Sequence, residues 1–521
     1  MSELAELVSR SLSEEAAAEF MKRVESRAAE LRGATADGEL DNPDFAVGLE
    51  LELYAVDNPS LGDGSNDERS GAGCPQLVSL PAAAFDSTAN KELGLHNAEL
   101  NTDPDPFDAD GLASQARHIR EQFESAQAAV HEEGCHLVCD AMWTLPPAEG
   151  TDSYLSAVEN EGGITVAQNM RADPRYIAID NEALRMAGGS IPLDLPGLSR
   201  EFPSMLFESL ATSIQPHLQI PTAEEFPAYY NTAIRTLGPV LALSTNSPFL
   251  PPDLYSAVED PLDLVEDTHD ELRIQVFEQS VNQSPNPKVR VPDDIADASE
   301  TIDHVVADDV FAPFLREWLS DDERESFAEQ NWEFDYKRST YWRWLRCVVG
   351  GDPVGGGDER SLRIEYRPIP TQPTIRDTVS MQVLTVGLIR GLVAVEHPLS
   401  ELPWEEAERS FYDAAESGLD AELAWLTETG EQTTDSEIVF EEVFSYAREG
   451  LATAGLSPED IDQYLEPIER RWESGVTPSI WKKARVREAL EDGDSLPEAI
   501  KSMQQSYIRK SHETDSFAEW L

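Results

Sequence analysis

The stretch AVGLELELYAVD, Ala46 to Asp57, strongly favours one backbone conformation. Side chains alternate across a strand, so Leu49, Leu51 and Leu53 share one face while Glu50 and Glu52 share the other. A helix would scatter the same residues around its circumference and leave no apolar stripe. Residues two apart on a strand lie ~6.5 Å from each other on the same face, so the two carboxylates are neighbours. Carboxylates on a half-buried sheet face are costly unless something compensates them. The chain must therefore build a sheet with its leucines on a core and its acids on a cleft.

The setting recurs. Glu99 in HNAELNT sits between Ala98 and Leu100, and Glu365 in RIEYRP sits between Ile364 and Tyr366. Four carboxylates brought together from separate strands repel one another unless a cation lies among them. Mg²⁺ takes oxygen ligands and usually binds one or two carboxylates plus substrate phosphates, which points to phosphoryl chemistry on a sheet platform. Arg363 and Arg367 alternate with Glu365 on one face, and arginine is a fixed cation suited to bidentate capture of carboxylate or phosphate. The plainer alternative is a solvated strand face with a cross-strand salt ladder.

Around these strands the pattern is mixed. Residues 1–40 read as one or two amphipathic helices, broken by DNPDF. A polar, glycine-rich loop follows the first strand from Asp57. The run from Asp108 to Gly134 is a helix with an acidic start and a glycine stop. CHLVCDAMW and SMLFESLATSIQPHLQI read as strands, as does RSLRIEYRPI. Residues 222–247 and 374–397 read as long helices, the first with a proline inside. GGDPVGGGDER lacks the Lys-Ser/Thr of a phosphate loop and reads as a hairpin connection. These alternations predict an α+β fold: a mainly antiparallel sheet with helices on one face and a cleft on the other. Three parts are expected: an N-terminal helical segment (1–40), a catalytic domain (41–398) and an acidic helical C-terminal region (399–521).

The 521 residues carry 100 acidic and 39 basic side chains, net −61, spread along the chain. Such a coat matches protein surfaces in a high-salt cytoplasm and excludes nucleic acid phosphates as a partner. With 40% hydrophobic residues the chain is not of disordered composition. No run of eighteen apolar residues and no signal-peptide pattern is visible, so neither a membrane span nor export is expected, and the location is read as cytoplasmic. His131, Cys135, His136 and Cys139 invite a zinc reading, but their spacing fits no standard ligand pair, and the cysteines read as small core residues.

Five segments in order carry a resemblance: VGLELELYAVD, AELNTDP, SIQPHLQI, GPVLALSTNSPF and RIEYRPIPTQPT. Together, over about residues 45–395, they resemble the glutamate–cysteine ligase family of the bacterial and archaeal carboxylate–amine ligase type, in the glutamine synthetase-like superfamily. The resemblance implies a curved sheet whose concave face is the active site, with helices on the convex face. It implies ATP and Mg²⁺ as cofactors and glutamate plus an amine, most specifically cysteine, as small-molecule substrates joined through an acyl phosphate. Glu50, Glu99 and Glu365 would ligate Mg²⁺, and Glu52 a second metal near the ATP phosphates. His217 would contact nucleotide phosphate or its metal, and Arg367, paired with Glu365 at the catalytic centre, would stabilise the transferring phosphoryl group. Arg273 and Arg175, the latter followed by Tyr176, would bind substrate.

The sequence departs from the family at the histidine strand, where many relatives show His-x-His and this chain has Gln215-Pro216-His217. Pro216 removes a ladder donor and implies an edge strand or a bulge. The chain is longer than compact members, and the extra length could serve a homo-oligomer. Trp143 and the run Tyr341–Arg346 are candidates for cleft walls, though aromatics at this spacing also suit a core. A ligase with another acceptor amine, and a silent relative that only binds nucleotide or amino acid, stand as alternatives.

Overall fold

The computed structural model describes residues 2–57, 75–255, 258–319 and 326–521. The polar loop expected after Asp57 and Cys74 lie outside the described residues.

The strand Ala46–Asp57 is the spine of a curled nine-stranded antiparallel sheet. Along its length it pairs with five other strands, among them Asn97–Asn101, Cys135–Val138 and Ile214–Ile220. Strand order runs from Leu345–Val349 through Leu362–Tyr366, Ile214–Ile220 and Ala46–Asp57 to Asn97–Asn101. Leu49, Leu51 and Leu53 are buried as the alternation predicts, at 1%, 0% and 0% exposure. The helices Ala109–Glu132, Phe226–Ser244 and Ile375–Ala394 cover that apolar side. The last is long and apolar enough to cross a membrane by length and composition, but most of it is buried inside the fold.

Two expectations need correction. The segment from Ser204 to Ile220 is not one strand: Met205–Leu210 forms a 3₁₀ helix and the strand begins at Ile214. Asp180 accepts from the Ser204 hydroxyl (3.0 Å) and the Met205 N–H (2.7 Å), and Ser204 Oγ caps the Leu206 N–H. These local bonds win over extended pairing. The strand holding Pro216 is also internal, not an edge. The alternative, a bulge, is what the register shows. His217 pairs with Glu365 and Ser213 with Pro370, so five steps on one strand face four on the other. The missing Pro216 N–H falls on that side, where no regular ladder runs.

The glycine-rich segment near 350 does connect two paired strands, Leu345–Val349 and Leu362–Tyr366. Cys139 is buried and Cys135 packs against the core. Among the described residues no group of three or more His, Cys, Asp or Glu side chains is arranged to hold a metal ion.

The expected boundary at 398 is crossed by one continuous core reaching from Ala5 to Trp520. Arg471 reaches back to Asp377 (2.9 Å), both fully buried, and Lys482 to Asp140 (2.5 Å). Gln504 bonds the Tyr54 hydroxyl at 2.9 Å, tying a C-terminal helix to the spine strand. Removing one partner of such a pair leaves a buried unpaired charge. Lys482→Met is expected to destabilise the fold by about 3–5 kcal/mol in denaturant titration at fixed KCl. A loss below about 1 kcal/mol would show Asp140 to be compensated without it.

Candidate active site

The face opposite the leucines carries the acids. Glu52 stands directly across from Glu99, and Glu50 lies between Asn101 and Gln215. His217 faces Glu365 on the next strand, and Glu365 faces Arg346. The sheet thus brings Glu50, Glu52, Glu99, His217, Glu365 and Arg367 together from segments far apart in sequence.

Their bonds divide them into two ends. At one end Glu365 is held by guanidinia: Arg346 Nε donates to Oε2 at 2.7 Å and Arg367 Nη1 to Oε1, with Arg338 at 3.8 Å. Both oxygens of Glu365 are thereby engaged in ion pairs, which sets it apart from the open metal ligand the resemblance implied. Arg367 also donates to Gln215 Oε1 at 2.6 Å. At the other end the acids have few cations. Glu52 accepts from Ser213 N–H (2.6 Å) and Gln215 (3.2 Å), Glu99 from Asn101 (2.8 Å). Glu50 lies 3.1 Å from His217 Nε2, bridging the two ends.

A cavity of about 190 Å³ opens over the acidic end. Glu50, Glu52 and Glu99 line it with Gln215, Arg346 and Arg367. Arg175 and Tyr176 stand on its rim side, and Phe277 and Trp342 supply an apolar wall. Two further acids line it that sequence reasoning missed, Glu92 and Glu208. Glu92 sits just after a two-residue strand, where no periodicity marks it. Glu208 sits in the 3₁₀ helix. Its one signal was an acid inside the apolar run MLFESLA.

Electrostatics follow the same division. Burial opposes ionisation of Glu365, but Arg346 and Arg367 overcome it and hold its carboxyl well below the usual range. Burial likewise works against ionised Glu50, and His217 more than offsets it, so its pKa is lowered. At the acidic end burial and neighbouring carboxylates outweigh the nearby cations and donors. Glu92 is pushed up to about 7 by burial and then by Glu52, and Glu208 to about 8 by burial, Glu52 and Glu92. Burial and the same neighbours raise Glu99 well above its ordinary value. Several buried polar atoms here have no partner among the described residues: His217 Nδ1, Arg367 Nε, Asn97 Oδ1 and Asn101 Oδ1. Such orphans are rare in protein interiors and call for a ligand or water.

Some expected residues stand elsewhere. Arg273 does not line the cavity; its guanidinium is buried and donates to the carbonyls of Arg367 (3.0 Å) and Pro368 (3.1 Å). Trp143 is fully buried against His96 and Tyr154, with its Nε1 on the Ser209 carbonyl, so it is core. Arg175 does line the cavity and donates to Ser339.

A profile of glutamate–cysteine ligase family 2 matches residues 46–508, nearly the whole chain. The chain belongs to that family. The match runs past residue 395 and takes in most of the C-terminal helices. As a family member the protein is an ATP-dependent carboxylate–amine ligase of the glutamate–cysteine ligase kind. Among solved structures, a glutamate–cysteine ligase from Francisella tularensis in complex with AMP is similar at 13% identity. It is matched over 91% of this chain and 90% of that one, with a TM-score of 0.49. A bifunctional glutathione synthetase from Pasteurella multocida is similar at 14% identity, over 90% of this chain and 52% of that one, with a TM-score of 0.46. The ligase PafA in complex with the ubiquitin-like protein Pup is similar at 9% identity, over 90% and 73%, with a TM-score of 0.34. No curated protein is similar enough to count as a match.

The ligase's acidic end fits a hard dication by its donor chemistry. Its carboxylates are desolvated and raise one another's pKa, which is the state a bound divalent ion relieves. Mg²⁺ needs only one or two carboxylates beside phosphate oxygens, so the facing pair Glu52 and Glu99 suffices without a preformed cage.

Two outcomes are expected. Glu50→Gln should abolish ATP turnover while the circular dichroism stays native; unchanged turnover would remove Glu50 from the metal-binding set. Because Glu92 and Glu208 have folded-state pKa values above the ordinary carboxyl value, the folded chain holds these protons more tightly than the unfolded one. Their contribution is full below about pH 4.5 and is lost as pH rises through about 7 to 8. Without divalent metal, unfolding midpoints at constant KCl should fall across that window. Glu208→Gln should flatten the fall, and an unaltered slope would contradict the assignment.

Proposed function

We propose that this ligase joins the side-chain carboxylate of glutamate to the amine of cysteine, forming γ-glutamylcysteine with Mg-ATP as the phosphoryl donor. The observation that carries the reading is the division of one sheet face into a guanidinium end at Glu365 and Arg367 and an acid-lined cavity at Glu52 and Glu99. The reaction needs both. A carboxylate oxygen attacks the terminal phosphorus of ATP and ADP departs; the neutral amine then attacks the acyl carbon and inorganic phosphate leaves.

Arg367, with an unpartnered Nε, and Arg346 would neutralise charge on the transferring phosphoryl group. Arg175 would hold the acid substrate's α-carboxylate. Glu92 and Glu208 would receive the substrate ammonium groups, and a carboxylate there would take the proton the acceptor amine must lose. Glu50, Glu52 and Glu99 would hold the divalent metal, with His217 and Glu365 beside the nucleotide phosphates. The metal, when bound, supplies charge neutralisation of the phosphates. No protein nucleophile is required, because both nucleophiles belong to substrates.

A second reading keeps the mechanism and changes the acceptor. The amine end of the cavity carries carboxyls, a chemistry that recognises any ammonium, so another amine fits it too. The test is phosphate release from Mg-ATP in molar KCl, the medium that suits a net charge of −61. Release that requires glutamate and cysteine together is expected. Release with glutamate and a different amine would replace the product, and no release with any pair would favour a silent binding protein.

A further inference from the structure

Asn246, in LALSTNSPF, and Thr371, in PTQPT, belong to segments that carry the family resemblance, yet neither lines the cavity. Both are fully buried. Their bonds lead to Glu52 all the same. On one side of the spine strand the partner changes: Leu51 faces Ile214, whereas Tyr54 faces Val138 of a different strand. Glu52 lies at the seam between those two neighbours. Its N–H still reaches Ser213 O at 2.9 Å. Its carbonyl accepts from a side chain, the Thr371 hydroxyl, at 2.9 Å.

The same threonine also steadies the donor to the Glu52 carboxylate. Thr371 N–H donates to Thr212 O at 3.2 Å, and the next residue, Ser213, gives its N–H to Glu52 Oε2 at 2.6 Å. Thr212 is fixed in turn by its N–H on Ala141 O (2.9 Å) and its hydroxyl on Asp140 O. Behind Thr371, Asn246 Nδ2 donates to the Thr371 carbonyl and to the Tyr507 hydroxyl, each at 2.8 Å. Lys482 donates to the Asn246 carbonyl at 2.7 Å. One buried hydroxyl thus stands where the main chain of Glu52, the donor to its carboxylate and the C-terminal helices meet.

We propose that Thr371 is a positioning residue for Glu52: it closes the seam in the ladder and sets where the Glu52 carboxylate points, toward Glu99 and the divalent metal. The inference rests on the reading of Glu52 as a metal-holding residue of the ligase and adds what aims it. Glu52 acts against Glu92, Glu99 and Glu208, so its side chain is driven away from the place a shared ion needs. A buried carbonyl without a donor is costly, and at the seam the hydroxyl supplies the bond a strand N–H would otherwise make. Threonine suits the task because branching at Cβ leaves its χ1 stiff. Groups that hold a metal ligand from behind set its direction as much as the ligand itself does.

The test is binding of Mn²⁺ in the presence of ADP and molar KCl, followed through the paramagnetic resonance signal of the free ion. Glu52→Gln marks the loss expected when the carboxylate itself is removed. Thr371→Val keeps the shape of the side chain and removes the hydroxyl; it should weaken Mn²⁺ binding ~tenfold or more. Thr371→Ser restores the donor and should return the affinity to within ~threefold of wild type. Thr371→Ala, which adds no bulk, serves if Thr371→Val does not fold. Thr385→Val removes an equally buried hydroxyl whose partner is the Met381 carbonyl inside a core helix, and it should leave Mn²⁺ affinity unchanged. An equal loss in Thr385→Val would mark general destabilisation and overturn the inference. Wild-type affinity in a folded Thr371→Val or Thr371→Ala, with Glu52→Gln impaired, would overturn it and leave the ligase reading standing. Wild-type affinity in Glu52→Gln would take Glu52 off the metal and the inference with it. A wild-type protein that neither binds Mn²⁺ with ADP nor releases phosphate would overturn both the inference and the ligase reading.

Discussion

Five carboxylates, Glu50, Glu52, Glu92, Glu99 and Glu208, line one cavity, and their mutual repulsion is the constraint around which the site is organised. Burial disfavours each charge and every neighbour makes the next worse. Glu365, one step along the face, is compensated by three guanidinia, and Glu50 by His217. The result is a gradient along a single sheet: fixed cations at one end, protonatable acids at the other, with Glu50 and His217 between. Phosphoryl transfer to a carboxylate followed by attack of an amine needs that order of charges. A uniformly wet face would neither raise Glu208 to about 8 nor hold the Glu365 carboxyl well below its usual range.

Aiming Arg367 is a backbone matter. The ladder between Ile214–Ile220 and the arginine strand slips by one residue beside Pro216, and the bulged stretch Tyr366–Ile369 must be held by other means. Arg273 does so, donating to the carbonyls of Arg367 and Pro368 with its guanidinium 5.4 Å from the Trp344 ring centroid. The Arg367 N–H is taken up by Trp344 O at 3.0 Å. The departure at Gln215-Pro216-His217 is thus absorbed: Gln215 bonds both Glu52 and Arg367, and the proline occupies the one place where the ladder has no donor to lose.

The C-terminal helices are tied to the same sheet by buried polar contacts. Lys482 bonds Asp140 and the Asn246 carbonyl, while Gln504 joins Asp140 to Tyr54 on the spine strand. Tyr54 stands two residues beyond Glu52, so this buried polar network ends on the strand that carries the acids. Breaking the buried Lys482–Asp140 pair would leave a charge unpaired. Such ties suit a site whose groups must hold position against their own repulsion.

Period-two alternation was enough to determine the spine strand, its leucine side and its acid side, because strand geometry leaves no freedom over which residues share a face. The order of five motifs was enough to name the family, and the sheet gathers Glu99, His217, Glu365 and Arg367 on one face. Sequence could not show Glu92 and Glu208, which sit just after a two-residue strand and in a 3₁₀ helix with no period to read. Nor could it tell that Arg273 donates to the carbonyls of Arg367 and Pro368. The same limit holds for residues beyond 398, whose helices share one core with the sheet. Those facts depend on which groups meet after the chain crosses itself: register, bulges and buried pairing are settled by packing among distant segments, and local pattern carries no record of them.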